Sequence, residues 1–217
     1  MHVWDVTTEQ AIAIQERLRQ EVVCQDQIGR LQLVAGVDAG FEGGGTVTRA
    51  AAVVLSFPNL VRVETAVAVR STNFAYVPGL LSFREAPAIL EALSGLQSSP
   101  DLLVCDGHGL AHPRRFGIAS HLGLLTNLPS IGVAKSILIG QHDPLGEQPG
   151  AWQPLVDQGE IVGAALRTRL GVKPVYVSIG HRLSLETAIE LVLRCTGKYR
   201  LPEPARLAHH LASGRGD

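Results

Sequence analysis

The stretch LQLVAGVDAGFEGGGTVTRAAAVVLSFPNLVRVETAVAVR, Leu31 to Arg70, carries three apolar, β-branched runs in close succession. They cover Leu31 to Val37, Ala50 to Phe57 and Val61 to Arg70, separated by the glycine cluster Gly43 to Gly45 and by Pro58-Asn59. Connections this short allow antiparallel pairing but not a crossover, so an antiparallel three-strand meander is expected. Beyond it the pattern changes. A loop from Ser71 to Leu81 precedes a helix that begins near Phe83 or Pro87 and ends near Leu96. Asp101 to Cys105 is then a short apolar run of the kind that forms a buried parallel strand. A helix from about Gly117 to Leu125, strands at Ser130 to Ala134, Ile161 to Thr168 and Val175 to Ile179, and a helix from Leu185 to Cys195 complete the alternation. The class is α/β, with a mixed central sheet whose meander and later strands are flanked by helices.

Outside this frame, Glu9 to Val23 has helical spacing, with Ala11, Ile14, Leu18 and Val22 on one stripe and Thr7 or Thr8 as cap. The tail, Gly197 to Asp217, is broken by Pro and Gly, which predicts at most one helical turn near Ala205 to Leu211 and a fraying end. The 217 residues can bury one good core, and no linker divides them, so one domain over 1–217 is expected. With 46% hydrophobic and 18% charged residues the chain is globular rather than disordered. Apolar runs such as Ala50 to Phe57 stop short of the roughly 20 residues a membrane helix needs. The start MHVWDVTTEQ also lacks a signal-peptide pattern, so a cytoplasmic address with no membrane partner is the expectation. Cys24, Cys105 and Cys195 are odd in number, widely spaced and flanked by apolar residues; they read as buried thiols, not as a disulfide framework or zinc site.

The formal net charge of -1 argues mildly against a nucleic-acid partner. Its distribution says more. Between Asp106 and Ser136 the only acid is Asp106, whereas Arg114, Arg115 and Lys135 are basic and His108, His112 and His121 carry hydrogen-bonding rings. That stretch can face phosphates, with Arg114, Arg115 and Ser136 as the expected contacts.

Two carboxylates stand out. Asp38 ends the run LVAGV and Asp106 ends the run DLLVC, so each is delivered at the tip of a strand. If the strands are neighbours, the side chains converge at one sheet edge, where hard oxygen ligands suit Mg²⁺ or Mn²⁺. An Asp after a strand is commonly just a turn former, and it is the repetition that favours a metal. Glu85 has two readings. Ser82-Phe83-Arg84-Glu85 matches a capping box, but Pro87 pulls the helix start later and frees Glu85 to join the acids. The loop Gly107 to Arg115, with its glycines, histidines and Arg-Arg pair, permits close backbone approach to a ligand. Lys135, after SIGVA, is a third strand-end charge, either a snorkelling surface lysine or a phosphate partner.

The segments GVDAGF from Gly36, TRAAAVVL from Thr48, YVPGLLSFRE from Tyr76, PDLLVCDGHGLAHPRRFGIASHLG from Pro100, IGVAKS from Ile131 and YRLPEPARLAH from Tyr199 together resemble endonuclease V, the deoxyinosine 3′ endonuclease family, over almost the whole chain. The resemblance implies an RNase H-like fold. It also implies Asp38 and Asp106 as metal ligands with Glu85 as a third acid, Mg²⁺ as cofactor with Mn²⁺ as substitute, and Lys135 beside the reacting phosphate. By the same likeness His112 lies near the scissile strand, Tyr76, Val77 and Pro78 form a wedge entering the duplex, and main chain around Gly79, Leu81, Gly107, Gly109 and Ile118 forms the pocket for the flipped base. His209 falls in the C-terminal motif. Ala75 departs from the pattern, standing where the family's wedge has proline. The implied reaction is hydrolysis of the second phosphodiester bond 3′ to deoxyinosine in DNA, leaving a 3′-hydroxyl and a 5′-phosphate. Inosine-containing RNA is the alternative substrate, and a monomer is expected. A binder without turnover and a nuclease for RNA-DNA hybrids are rival readings; the intact acidic set opposes the first and the tyrosine wedge the second.

Overall fold

The computed structural model describes residues 2–214. One eight-stranded sheet runs through the molecule in the order β3-β2-β1-β4-β5-β8-β7-β6. The expected meander is its first part: β1 (Leu33–Glu42), β2 (Val47–Ser56) and β3 (Arg62–Ser71) pair antiparallel. β4 (Leu102–Asp106) lies parallel beside β1, and β5 (Ser130–Ala134) parallel beside β4. β8 (Val175–His181), β7 (Glu160–Leu166) and β6 (Trp152–Asp157) continue antiparallel to the far edge. The fold is therefore mixed α/β with an RNase H-like arrangement, as the sequence indicates. β6 is a strand the hydrophobic pattern does not reveal; its Pro154 is tolerable because the strand is at an edge.

Helices cover both faces. α2 (Leu81–Ser94) and α3 (Ile118–Thr126) close a core of Ala35, Val37, Ala52, Val54, Leu103 and Cys105 on one side. α4 (Leu185–Arg194) and α5 (Glu203–Ala212) close a core built on Val34, Leu102, Val104, Ile131 and Val177 on the other. Alternate residues of each central strand feed the two cores, which is why these strands read as continuous apolar runs.

Several expectations change. α1 (Thr8–Leu18) is capped by Thr7 but gives way to a 3₁₀ turn at Arg19–Glu21 well before Val23. α2 starts at Leu81 with no side-chain cap, and Pro87 lies inside it. Ser82 bonds the buried ring of His121 at 3.0 Å, so the capping-box reading of Glu85 does not hold. α5 is a full ten-residue helix, not a single turn. The tail beyond Gly214, where fraying was expected, lies outside the described residues. Cys24 is exposed, unlike the buried Cys105 and Cys195. Among the described residues, no helix is long and apolar enough to cross a membrane.

α5 approaches the sheet closely because glycines admit it. A Cβ on Gly36 would come within 1.9 Å of the Pro204 carbonyl oxygen, and one on Gly40 within 2.5 Å of that of Ala212. Asp38, between them on the same face of β1, therefore points at this helix.

Candidate metal centre

Asp38 is not at the tip of β1, as its position in the sequence suggests, but in the middle of a ten-residue strand. What ends there is the parallel ladder, whose last pair is Val37 with Cys105. One residue further along, Asp38 and Asp106 stand side by side beyond it. Asp38 Oδ1 accepts from the Ala39 amide at 2.8 Å, and its Oδ2 lies 2.7 Å from His209 Nδ1, which α5 delivers. Lys135, just past β5, donates from Nζ to Asp106 Oδ2 at 2.5 Å. Asp38, Asp106 and His209 each offer a ligand atom, and these lie within 4.8 Å of one another.

Glu85 joins from α2 and is 7% exposed. Burial, then the charges of Asp38 and Asp106, raises its carboxyl well above the usual range. Burial and then Asp106 push the Asp38 carboxyl up to about 6, against the lowering effect of the His209 contact. Three acids share one neighbourhood, in which the Lys135 ammonium contacts Asp106 and the His209 ring contacts Asp38. Such a set of oxygen donors fits a hard divalent cation, which would offset the charge the protein leaves exposed to itself.

A cavity of about 190 Å³ opens beside the acids. Glu85 and Asp106 line it together with Tyr76, Val77, Pro78 and Gly79; Leu81, Gly107 and Ile118 also line it. Tyr76 projects from its loop, 70% exposed. Gly109 does not line the cavity: its amide donates to Ser178 Oγ at 2.8 Å, and a Cβ there would meet the Ile179 carbonyl at 2.0 Å. It packs the loop against β8.

The basic loop is more committed than its composition suggests. Arg115 pairs with Asp157 and Glu160, both at 2.9 Å, and so is tied to the β6–β7 turn instead of standing ready for phosphate. Arg114 donates from Nη2 to the Gly79 carbonyl at 2.7 Å. His112, 4% exposed, lies 2.9 Å from the same oxygen through Nε2. Its Nδ1 accepts from the Arg114 amide at 3.2 Å, which fixes the neutral ring with its proton on Nε2. It therefore lines the cavity with its ring tied to the Gly79 carbonyl. Ser136 is exposed. Among the lining residues that sequence reasoning missed are Gln15 from α1 and Leu138 after β5. Neither carries a spacing signal, since one sits in an ordinary amphipathic helix and the other in a loop.

The family model for endonuclease V matches residues 16–210. The chain belongs to the endonuclease V family. It is 62% identical to an endonuclease V of Trichormus variabilis over 215 residues, covering 99% of this chain and 97% of that protein. The solved endonuclease V of Streptomyces avermitilis superposes with a TM-score of 0.92 at 48% identity, covering 97% of this chain and 93% of that one. The Ciona intestinalis endonuclease V, solved in complex with a 24mer DNA containing an inosine followed by a ribo-adenosine, gives a TM-score of 0.82 at 28% identity, over 95% of this chain and 96% of that one.

Proposed function

We propose that this endonuclease V is a metal-dependent DNA repair enzyme that recognises deoxyinosine and hydrolyses the second phosphodiester bond on its 3′ side, leaving a 3′-hydroxyl and a 5′-phosphate. One observation carries the reading: a single cavity is lined both by Tyr76 and by the acids Glu85 and Asp106. A base held there keeps the phosphates of its own strand near the acids. The inosine-containing DNA bound by the Ciona intestinalis relative supports the choice of substrate.

Asp38 and Asp106, with Glu85 and His209 beside them, would hold Mg²⁺, or Mn²⁺ in its place. A divalent ion bound there supplies Lewis acidity, lowering the pKa of a bound water and neutralising phosphate charge. Lys135, held on Asp106, places a positive charge where the phosphate must lie. Tyr76 occupies the space a flipped base vacates, and flipping costs a few kcal/mol, least at a weakened pair. The cavity reads the base through main chain. Hypoxanthine offers a carbonyl oxygen and a ring N–H where adenine offers an amino group and a bare nitrogen, so fixed backbone groups can satisfy one and leave the other unpaired. The Gly79 carbonyl is already occupied by side-chain donors, so this reading falls to other groups of the wall.

The test is cleavage of matched DNA and RNA oligomers, with inosine or adenine at one position, in Mg²⁺, Mn²⁺ or chelator. Inosine DNA should be cut at the second 3′ bond with Mg²⁺, and chelator should stop the reaction. Metal-independent cutting, or equal cutting of the adenine control, would refute the reading.

A further inference from the structure

Gly79 separates the exposed loop Tyr76 to Pro78 from α2, which carries Glu85. Its φ of +77° is a left-handed conformation that glycine adopts freely. A glycine gives its neighbours no side chain to fix the direction of its carbonyl, so that direction is set by what surrounds it. Three side chains converge on its carbonyl oxygen: Arg114 Nη2 at 2.7 Å, His112 Nε2 at 2.9 Å and Gln15 Nε2 at 3.1 Å. Arg114 and His112 belong to the same loop. Gln15 comes from α1, almost a hundred residues earlier, and ties the arrangement together.

Gln15 is 1% exposed, and both ends of its amide are in use. Oε1 accepts from Arg114 Nε at 2.5 Å, while Nε2 also donates to the Phe116 carbonyl at 3.1 Å. The amide can sit only one way round. Flipped, it would aim its NH₂ at an arginine N–H and its oxygen at two carbonyls. α1 is itself seated against the segment it serves, since Ala11 packs in a cluster with Leu80 and Phe83.

We propose that Gln15 is a positioning residue for lesion recognition, setting the Gly79 carbonyl and, through it, the placement of Tyr76 to Pro78 against the cavity. The inference rests on reading that cavity as the base pocket. Gln15 touches none of the acids in the hydrogen-bond network, so its effect falls on recognition and not on the metal.

Gln15→Glu is the discriminating variant. It keeps the length and an acceptor for Arg114 but replaces two donated hydrogen bonds with a carboxylate facing two carbonyls. Gln15→Met fills the same space with no hydrogen bonds and serves if the glutamate variant fails to fold. For a folded variant, the Kd for inosine duplex should rise about tenfold or more, and the preference for inosine over adenine duplex should fall with it. The kcat at saturating substrate and the Mg²⁺ concentration for half-maximal rate should remain near wild type. A role confined to stability would lower Tm and leave the preference intact, and that result in both variants would overturn the proposal. Absence of inosine preference in the wild-type protein would be a different failure, because it removes the base-pocket reading on which the proposal stands.

Discussion

Asp38 and Glu85 present one problem: each carboxylate loses water and gains the repulsion of its acidic neighbours, Asp106 among them. Evolution of a structural core does not call for such a set. With the capping role of Glu85 removed by the start of α2 at Leu81, Glu85→Gln becomes a sharp test. Single-turnover cleavage of inosine DNA should fall by at least about a hundredfold, as befits loss of a group acting on the reaction's charge. Tm without metal should be unchanged or higher, since a desolvated acid has been removed. A lowered Tm with a normal rate would return Glu85 to a structural role. Asp106→Asn should likewise abolish cleavage and shrink the rise in Tm on adding Mg²⁺, measured by thermal melting. The two aspartates are legible in the sequence because a charged residue closing an apolar run is unusual chemistry for a strand. Gln15 is not. Its neighbours Ile14 and Glu16 give no sign that its amide meets a carbonyl 64 positions away, since burial of a polar side chain depends on what the tertiary fold brings opposite it.

At the level of elements, α5 shows why the C-terminal part was misread. Pro202 and Pro204 suggest interruption, yet Pro204 lies in the helix's first turn, where a missing N–H costs nothing. The stronger signal lay elsewhere in the chain, in Gly36 and Gly40 on one face of β1. Glycines inside a strand mark a close backbone approach, and here they admit the helix that brings His209 to Asp38. Gly36→Ala should therefore push α5 outward, because the new Cβ would stand 1.9 Å from the Pro204 oxygen. The expected loss is about 1–3 kcal/mol of stability, the usual cost of overpacking, accompanied by a reduced cleavage rate as His209 moves away. Gly29→Ala is the control, since a Cβ there meets nothing within 4 Å. Equal denaturation midpoints for the two variants would show that the helix yields without cost. The meander and the β4–α3–β5 unit were readable because local pattern and tertiary role agree there, whereas edge strand β6 lacks a buried face strong enough to leave a period.

For the whole molecule, pH sets two opposing tendencies. Burial lowers the His112 ring to about 4 and the His121 ring to about 3, so both are neutral in the folded protein where an unfolded chain would hold protons. A depressed histidine pKa leaves stability intact above about 6.5 and erodes it as pH falls below that value, because the unfolded state then binds more protons. At pH 5 each ring costs about 2 kcal/mol, from 1.36 kcal/mol per pH unit below 6.5. Asp38 works the other way. Its folded pKa of about 6 lies above the ordinary 3.8, so its ionisation penalises the metal-free fold above about 6 and is relieved as pH falls from 6 toward 3.8. That relief amounts to about 3 kcal/mol when complete, less than the two rings together remove by pH 4. Acidification of the metal-free protein therefore sets the loss from the buried rings against the relief of Asp38 and of Glu85, whose carboxyl is raised by the same burial and crowding. Mg²⁺ changes the balance, because an ion needs the ionised carboxylate and competes with its proton. The rise in Tm on adding Mg²⁺ should be full at pH 7.5 and vanish as pH falls through about 6, whereas Asp38→Asn should show little rise at any pH. Melts at pH 5, 6, 7 and 8 with and without Mg²⁺ decide the matter. A metal-induced shift in the wild-type protein as large at pH 5 as at pH 8 would mean that Asp38 does not hold the ion.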